Sequence, residues 1–435
     1  MAPGKLTGGG AMPLCGKPKA LVTDPHLEDP NRRGIGGMDP SVYLFVRRRY
    51  SGFAPEAYCP LYKVSVPDSS LPGASATTRE ESHRQIAAVE VDLEGMSFVS
   101  LPSSGWIIGV GGVPGGTIII DDTEPPTKVI RGPNLLAAKR YPILAAVGDK
   151  VYALCISPSY KTEPDFVPWF EVLDLSKGTV TEAADGSLRL DGCSWEELAW
   201  PSCFPRRLSP TDYLHPPIIS VRAYVVVPPY VLLSINPQTP SCTTYAFDTN
   251  SGEWHTINNS SLPFLGPAVP HYGPRGCCVF LGSSQEDGRV YAYQIRVSTS
   301  SSTTKAGVVS AGKGSALGLS ITEWSIRNKE HERVGRMAEH SIISLDSGRF
   351  SLLTFFLDHR KYKMIASYTY SKKLFVKLTT YHIENNPAFL EETQGQRNLL
   401  TVKHEIQVSK QQEQDFEFFS SYGFSPPEIR LALSI

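Results

Sequence analysis

At 435 residues the chain exceeds one ordinary core of about 100–200 residues, so it needs either several domains or a radially repeated all-β architecture. With 41% hydrophobic and 20% charged residues it carries enough apolar material for a large core, which excludes a wholly disordered chain. Lys and Arg (42) balance Asp and Glu (43) to a net charge of -1, which argues against a surface built to wrap nucleic acid.

Residues 1–37 are rich in Gly, Pro and Lys without periodicity and read as a disordered leader, with the compact domain starting at Met38. The leader has no apolar stretch of the kind an export signal needs, and no run of 18 apolar residues occurs anywhere, so no membrane partner is expected. The eight Cys are scattered without a CxxC, and several lie in strand-like runs. That pattern fits free thiols in a reducing compartment, cytoplasmic or nuclear.

From Met38 onward, runs of β-branched and aromatic residues alternate with Gly, Pro, Asp and Ser turns, the signature of strands. Tyr43–Arg49 pairs with Leu61–Val66, and the polar stretch 80–91 reads as a short helix or loop. Trp106–Gly112 is followed by Thr117–Asp122 across a Gly-rich hairpin turn. Ile143–Ile156 turns at Gly148-Asp149 and leads to Trp169–Leu175; Ser194–Ala199 is long enough for one helical turn. Ile218–Ile235 turns at Pro228-Pro229 and leads to Thr243–Asp248. Gly276–Gly282 leads to Arg289–Ile295, and His340–Phe356, turning at Asp346-Ser347-Gly348, leads to Leu374–Ile383. These make six units. Residues 298–319, rich in Ser, Thr, Gly and Lys, read as a flexible insertion, and 406–435 as a loosely held tail. The basic stretch from His359 to Lys377 alternates with Tyr and Phe, which places its cations on solvent faces of strands.

One segment carries a family resemblance. Thr243–Trp254 (TTYAFDTNSGEW) resembles the second half of a kelch repeat, in which a strand ends in Asp, a tight turn follows, and a Trp opens the next strand. Asp248 is suited to accept turn N–H groups, Gly252 to adopt positive φ, and Trp254 to cover the space between sheets. Phe170–Gly178 repeats the pattern through Asp174 without the Trp, and Gly111-Gly112 resembles the paired glycines of the family. The style is similar to plant F-box/kelch-type chains, without a visible F-box. The resemblance implies an all-β fold, a single β-propeller of six blades with mostly four antiparallel strands each, spanning residues 38–405. A pair of β-sandwich domains is the alternative architecture.

The chemistry-bearing patterns are sparse. No HxH, HExxH or Cys/His ladder stands at ligand spacing, and His255 and His271, the latter in PHYGPRG, read as structural or surface residues. GVGGVPGGT (109–117) is neither GxGxxG nor a P-loop, and Gly312-Lys313-Gly314-Ser315 lacks the hydroxyl directly after the Lys. No GxSxG elbow occurs. Asp121-Asp122 and Glu196-Glu197 are adjacent acids; neighbours on a strand point to opposite faces and do not act as a carboxylate pair. No metal, cofactor or catalytic set is therefore expected.

The aromatic and Arg residues placed on loops are Trp200, Phe204, Arg206, Arg207, Tyr213, Phe264, Tyr272 and Arg275, the residue types that form protein-binding hot spots. The expected function is a monomeric, non-enzymatic interaction scaffold that presents these loops to a protein partner. The alternative is a propeller enzyme acting on a carbohydrate or small metabolite in the central channel.

Overall fold

The computed structural model describes residues 40–47, 59–66, 83–89, 95–112, 115–157, 168–204, 219–236, 243–258, 261–272, 278–300, 316–328, 340–345, 348–357, 373–384, 404–419 and 428–434. Its strands fall into successive antiparallel groups. β1 (Ser41–Arg47), β2 (Cys59–Ser65) and β3 (His83–Val89) begin the first sheet. β4 (Met96–Leu101), β5 (Trp106–Gly111), β6 (Gly116–Asp121) and β7 (Lys128–Gly132) form the second. β8 (Ile143–Val147), β9 (Lys150–Leu154) and β10 (Phe170–Asp174) begin the third; a hairpin of β11 (Thr179–Glu182) and β12 (Leu188–Asp191) then interrupts it before β13 (Trp195–Glu197) completes it. That hairpin lies along the second sheet, where β12 pairs in parallel with β7.

β14 (Val221–Val227), β15 (Tyr230–Ile235), β16 (Thr243–Asp248) and β17 (Glu253–Asn258) make the fourth sheet. β18 (Phe264–Tyr272), β19 (Cys278–Ser284), β20 (Val290–Ser300) and β21 (Ala316–Asn328) make the fifth. β22 (His340–Ser344), β23 (Arg349–Leu357), β24 (Lys373–Ile383) and β25 (His404–Phe419) make the sixth. Finally β26 (Glu428–Ser434) returns to pair with β1, becoming the innermost strand of the first sheet.

Two relationships make this a closed ring. The innermost strands touch in succession, β26 to β4, β8, β14, β18, β22 and back to β26. Among the described residues, the buried apolar side chains also divide into six cores, each lying between two consecutive sheets. Strand alternation produces this division, because successive side chains leave opposite faces. In β1, Tyr43 and Phe45 pack toward the second sheet, whereas Val42, Leu44 and Val46 pack toward the sixth. A strand buried on both faces reads as a continuous apolar run, which is why VYLFV shows no polar alternation. The fold is an all-β propeller. Two stacked-sheet domains would instead give two separate cores, so the sandwich alternative does not apply.

Several expectations require correction. Of the expected loose tail 406–435, the described residues 406–419 and 428–434 are strand: β25 pairs with both β24 and β21, and β26 closes the ring. The polar look of β25 arises because few of its described side chains are buried: Ile406 and Val408 pack toward the fifth sheet and Phe416 and Phe418 toward the first. The domain boundary at 405 therefore falls inside a strand. Both ends of the 298–319 insertion are strand, with Ser298 opposite Gly318 and Ser300 opposite Ala316. The possible helices in 80–91 and 194–199 are β3 and β13. The leader 1–37 lies outside the described residues. Among the described residues no helix is long and apolar enough to cross a membrane.

Candidate functional site

Among the described residues, the loop residues singled out in the sequence do not converge. Phe204 is buried and meets Trp169 edge-on, ring centroids 6.5 Å apart. Phe264 is fully buried at the start of β18, packed on Tyr293 at 5.2 Å. Both belong to the core rather than to a binding surface; flanking prolines made them look like loop residues, but each fills a space between sheets. Trp200 is half-buried against the core between the third and fourth sheets, and Tyr272 is 45% exposed. β14 and β18 run parallel. Trp200, on the connection entering β14, and Tyr272, near the end of β18, therefore lie at opposite ends of the ring. Arg206, Arg207, Tyr213 and Arg275 lie outside the described residues. His271 is a buried strand residue, not part of a loop.

The repeat residues hold turns and interfaces. The Asp248 carboxylate accepts the Asn250 N–H at 2.9 Å, and Gly252 has φ 74°. Asp174 accepts from the Ser176 N–H and hydroxyl at 3.2 and 2.6 Å. The Trp254 ring lies 5.5 Å from Phe170 of the third sheet and 5.1 Å from Phe247 of its own. The adjacent acids diverge as strand geometry demands. Asp121 accepts from Thr123, while Asp122 receives Tyr43 Oη at 2.9 Å, Lys63 Nζ at 2.8 Å and Thr127 Oγ1 at 2.5 Å, tying the first sheet to the second. Glu196 pairs with Lys177 at 3.1 Å.

A different arrangement stands out in the connection from β7 to β8. Beneath it lies Glu171, a fully buried carboxylate on β10. It accepts the N–H of Leu136 at 2.8 Å and of Ala137 at 3.3 Å, and it pairs with the buried Lys139 ammonium, which also donates to the Ala137 carbonyl at 3.3 Å. Burial pulls the Lys139 ammonium below its ordinary range, against the attraction of Glu171. Further bonds fix the same loop. Trp195 Nε1 donates to the Pro133 carbonyl at 3.2 Å, the Leu135 N–H to Gly115 at 2.8 Å, and the Tyr141 N–H to the Gly95 carbonyl at 2.5 Å.

The paired glycines make this close approach possible. The Gly112 N–H donates to the Lys139 carbonyl at 2.9 Å, and Gly111 has φ 122°. A Cβ at Gly111 would lie 2.6 Å from the Gly95 oxygen and 2.9 Å from the Lys139 oxygen, so only glycine fits. The outcome is a loop held at many points, with Tyr141 in the left-handed region at φ 50°. Such a conformation persists only where surrounding bonds over-determine it.

This pinned loop presents Leu136, 58% exposed, Tyr141, 38% exposed, and the exposed Arg140. Ile156, at the same end of the third sheet because β9 is antiparallel to β8, is 40% exposed. An apolar side chain, an aromatic ring and a guanidinium on a rigid support are suited to binding. Sequence reasoning passed over these residues. The available signal was Glu171, an acid within the apolar run WFEVLDL, whose burial demands partners from elsewhere. Among the described residues no group of three or more His, Cys, Asp or Glu is placed to hold a metal ion.

Residues 39–409 match the model of the family described as proteins of unknown function, DUF1668. The chain belongs to the DUF1668 family. No curated protein matches it. Among solved structures, this DUF1668 chain is similar to a candidate 6-phosphogluconolactonase from Bacteroides uniformis, at 8% identity and a TM-score of 0.35, covering 91% of this chain and 100% of that one. A second candidate 6-phosphogluconolactonase, from Bacteroides fragilis, is similar at 10% identity and a TM-score of 0.37, covering 91% and 98%.

Proposed function

We propose that this chain is a non-enzymatic, kelch-like interaction scaffold, monomeric and cytoplasmic or nuclear, that uses the connection from Gly132 to Pro142 to engage a protein partner. In this reading the six strand groups are six blades. The observation that carries it is the over-determined loop: Glu171 is spent entirely on holding backbone and Lys139, which leaves Leu136, Arg140 and Tyr141 on a support that loses little entropy on binding. Aromatic and Arg anchors dominate protein interfaces, and loops on a rigid scaffold are where such anchors sit.

The test is a quantitative affinity capture comparing the unaltered chain with a Leu136→Glu/Tyr141→Ala variant and a Thr299→Glu control at an exposed position of β20 in the fifth sheet. Proteins retained by the unaltered chain and the control but lost from the double variant support the proposal. Equal recovery by all three, with unchanged melting, would sink it.

A further inference from the structure

The β11–β12 hairpin leaves the third sheet and adds two strands to the outer side of the second, so that β11 becomes the end strand of a six-stranded sheet. All four of its residues, Thr179 to Glu182, are exposed. Among the described residues, the other outer strands are guarded. β17 lies against β21, β3 against β7, β21 is paired by β25, and β13 is only three residues long with two glutamates. Covering, shortening or charging a strand is how folds keep a sheet edge from recruiting foreign chains. β11 is guarded least. Thr179, Val180 and Thr181 are β-branched, no Pro, Lys or Arg interrupts them, and the register with β12 runs without a bulge.

The register shows which backbone groups are open. The Ala183 N–H donates to the Ser187 carbonyl at 2.9 Å, and bonded and non-bonded pairs alternate along an antiparallel ladder. Thr181 with Arg189 and Thr179 with Asp191 are therefore the hydrogen-bonded pairs. Val180, opposite Leu190, and Glu182, opposite Leu188, turn their N–H and C=O groups away from β12. Two donors and two acceptors thus stand in line at the spacing that one added strand uses. The side chains give this edge a pattern. Val180, 39% exposed, shares a face with Glu182, and Thr179 and Thr181 share the other. Among the described residues Glu182 makes no ion pair: Lys177 is engaged by Glu196, and Arg189 stands opposite Thr181 on the other face. A strand laid on this edge therefore meets an unbalanced carboxylate beside an exposed aliphatic side chain.

We propose that β11 is a docking edge for an extended segment of a protein partner, which adds as an antiparallel strand with a basic residue opposite Glu182 and a β-branched apolar residue opposite Val180. In strand addition the backbone supplies the affinity and alternate side chains select the sequence. The edge uses none of the residues of the Gly132–Pro142 connection, so either surface can fail its test without the other. The probe is a blocked hexapeptide, Thr-Lys-Thr-Val-Thr-Val, whose Lys and first Val face Glu182 and Val180 in this register. Residue-resolved amide hydrogen exchange in the full chain follows its binding. The Val180 and Glu182 amides, open in the free chain, should exchange about tenfold more slowly at roughly tenfold excess over the dissociation constant.

N-methylation of the peptide at the Lys and first Val nitrogens should abolish this protection, whereas methylation of the Thr nitrogen between them should not, because only the former donate to β11. Replacing the peptide Lys by Glu should weaken binding about fivefold, and Glu182→Lys should reverse that preference. Absence of protection at Val180 and Glu182, or equal binding by the two methylated peptides, overturns the proposal, and neither readout needs a variant to fold. Failure of Glu182→Lys to reverse the preference overturns the assigned sequence pattern. A second copy of the chain is the competing occupant. Val180→Pro removes no bond from the hairpin, since the Val180 N–H points outward. If the free chain elutes as a dimer in size-exclusion chromatography and Val180→Pro returns it to a monomer, the edge belongs to a second copy and the proposal fails.

Discussion

Trp195 stands opposite Leu173 in the third sheet as Trp254 stands opposite Phe247 in the fourth, each paired with the residue that precedes a turn-forming Asp. Each indole also reaches back to the preceding sheet. Trp195 Nε1 donates to Thr117 Oγ1 at 3.0 Å and to the Pro133 carbonyl at 3.2 Å; Trp254 Nε1 donates to the Ala199 carbonyl at 2.6 Å. The two residues are one device used twice, an aromatic bolt between neighbouring sheets. Trp195 is 2% exposed and Trp254 is half-buried, so their removal should differ in cost. Trp195→Ala should destabilise by about 3–5 kcal/mol and Trp254→Ala by about 2 kcal/mol. Urea denaturation followed by fluorescence measures both, and an equal shift would contradict the assignment.

This pair also shows what the sequence could and could not reveal. Trp254 follows Asp248 by six residues, close enough to be recognised as one motif. Trp195 follows Asp174 by 21, because the β11–β12 hairpin is inserted between them, and an inserted element hides a spacing without altering the fold. Most strands are readable, since their runs of β-branched and aromatic residues are short and bounded by Gly, Pro and Asp turns, whereas the more polar β3 and β13 also admit a helical reading. β25 is not, because an outer strand with few buried side chains resembles polar loop. Neither is the pinned loop: the left-handed Tyr141 and the burial of Lys139 arise from contacts with Gly95, Gly112 and Glu171, far away in sequence.

Removing the Glu171 carboxylate should loosen the loop as well as the core. Glu171→Leu leaves a buried ammonium and two N–H groups unpaired and should cost about 3–5 kcal/mol; Glu171→Gln, which keeps acceptors for the backbone, should cost less. Thermal melts order the variants. Glu171→Leu as stable as Glu171→Gln would show that the carboxylate is not the anchor.

Asp122 should act as an acid-sensitive clasp. Burial alone would raise its pKa, but hydrogen bonds from Lys63, Thr127 and Tyr43 outweigh this and hold the carboxyl below its ordinary range. A depressed carboxyl stabilises above its unfolded pKa, and that contribution is lost as pH falls through the folded value. Asp122→Ala should therefore lose about 1–3 kcal/mol at pH 7, with the deficit shrinking toward acid. A deficit that is constant across the titration would count against the network.

His271 shifts in the same direction for a different reason, because burial disfavours its charged form. Its folded pKa, about 4, lies below the ordinary 6.5, so the unfolded chain binds the proton more readily. Stability is full above pH 6.5 and declines as pH drops toward 4, by up to about 3 kcal/mol. His271→Phe should flatten the profile over that window. Parallel stability curves for the two chains would refute the assignment.

A chain ending at Phe419 tests the ring itself. Without β26, the backbone edge of β1 opens and the contacts of β26 with β4 and β22 are lost. The truncated chain should aggregate in size-exclusion chromatography. A soluble truncation that melts cooperatively at the original temperature would mean that ring closure contributes nothing.

Because the partner of Ser41–Arg47 is Glu428–Ser434, the first described strand of the ring to be synthesised waits for the last described one. The intervening sheets can assemble in order as they are synthesised, but the seam between β1 and β26 is sealed only after translation has delivered both. Such a long-range pairing is slow to form and leaves a nascent edge open throughout synthesis. That interval is when a chaperone would matter most to this protein.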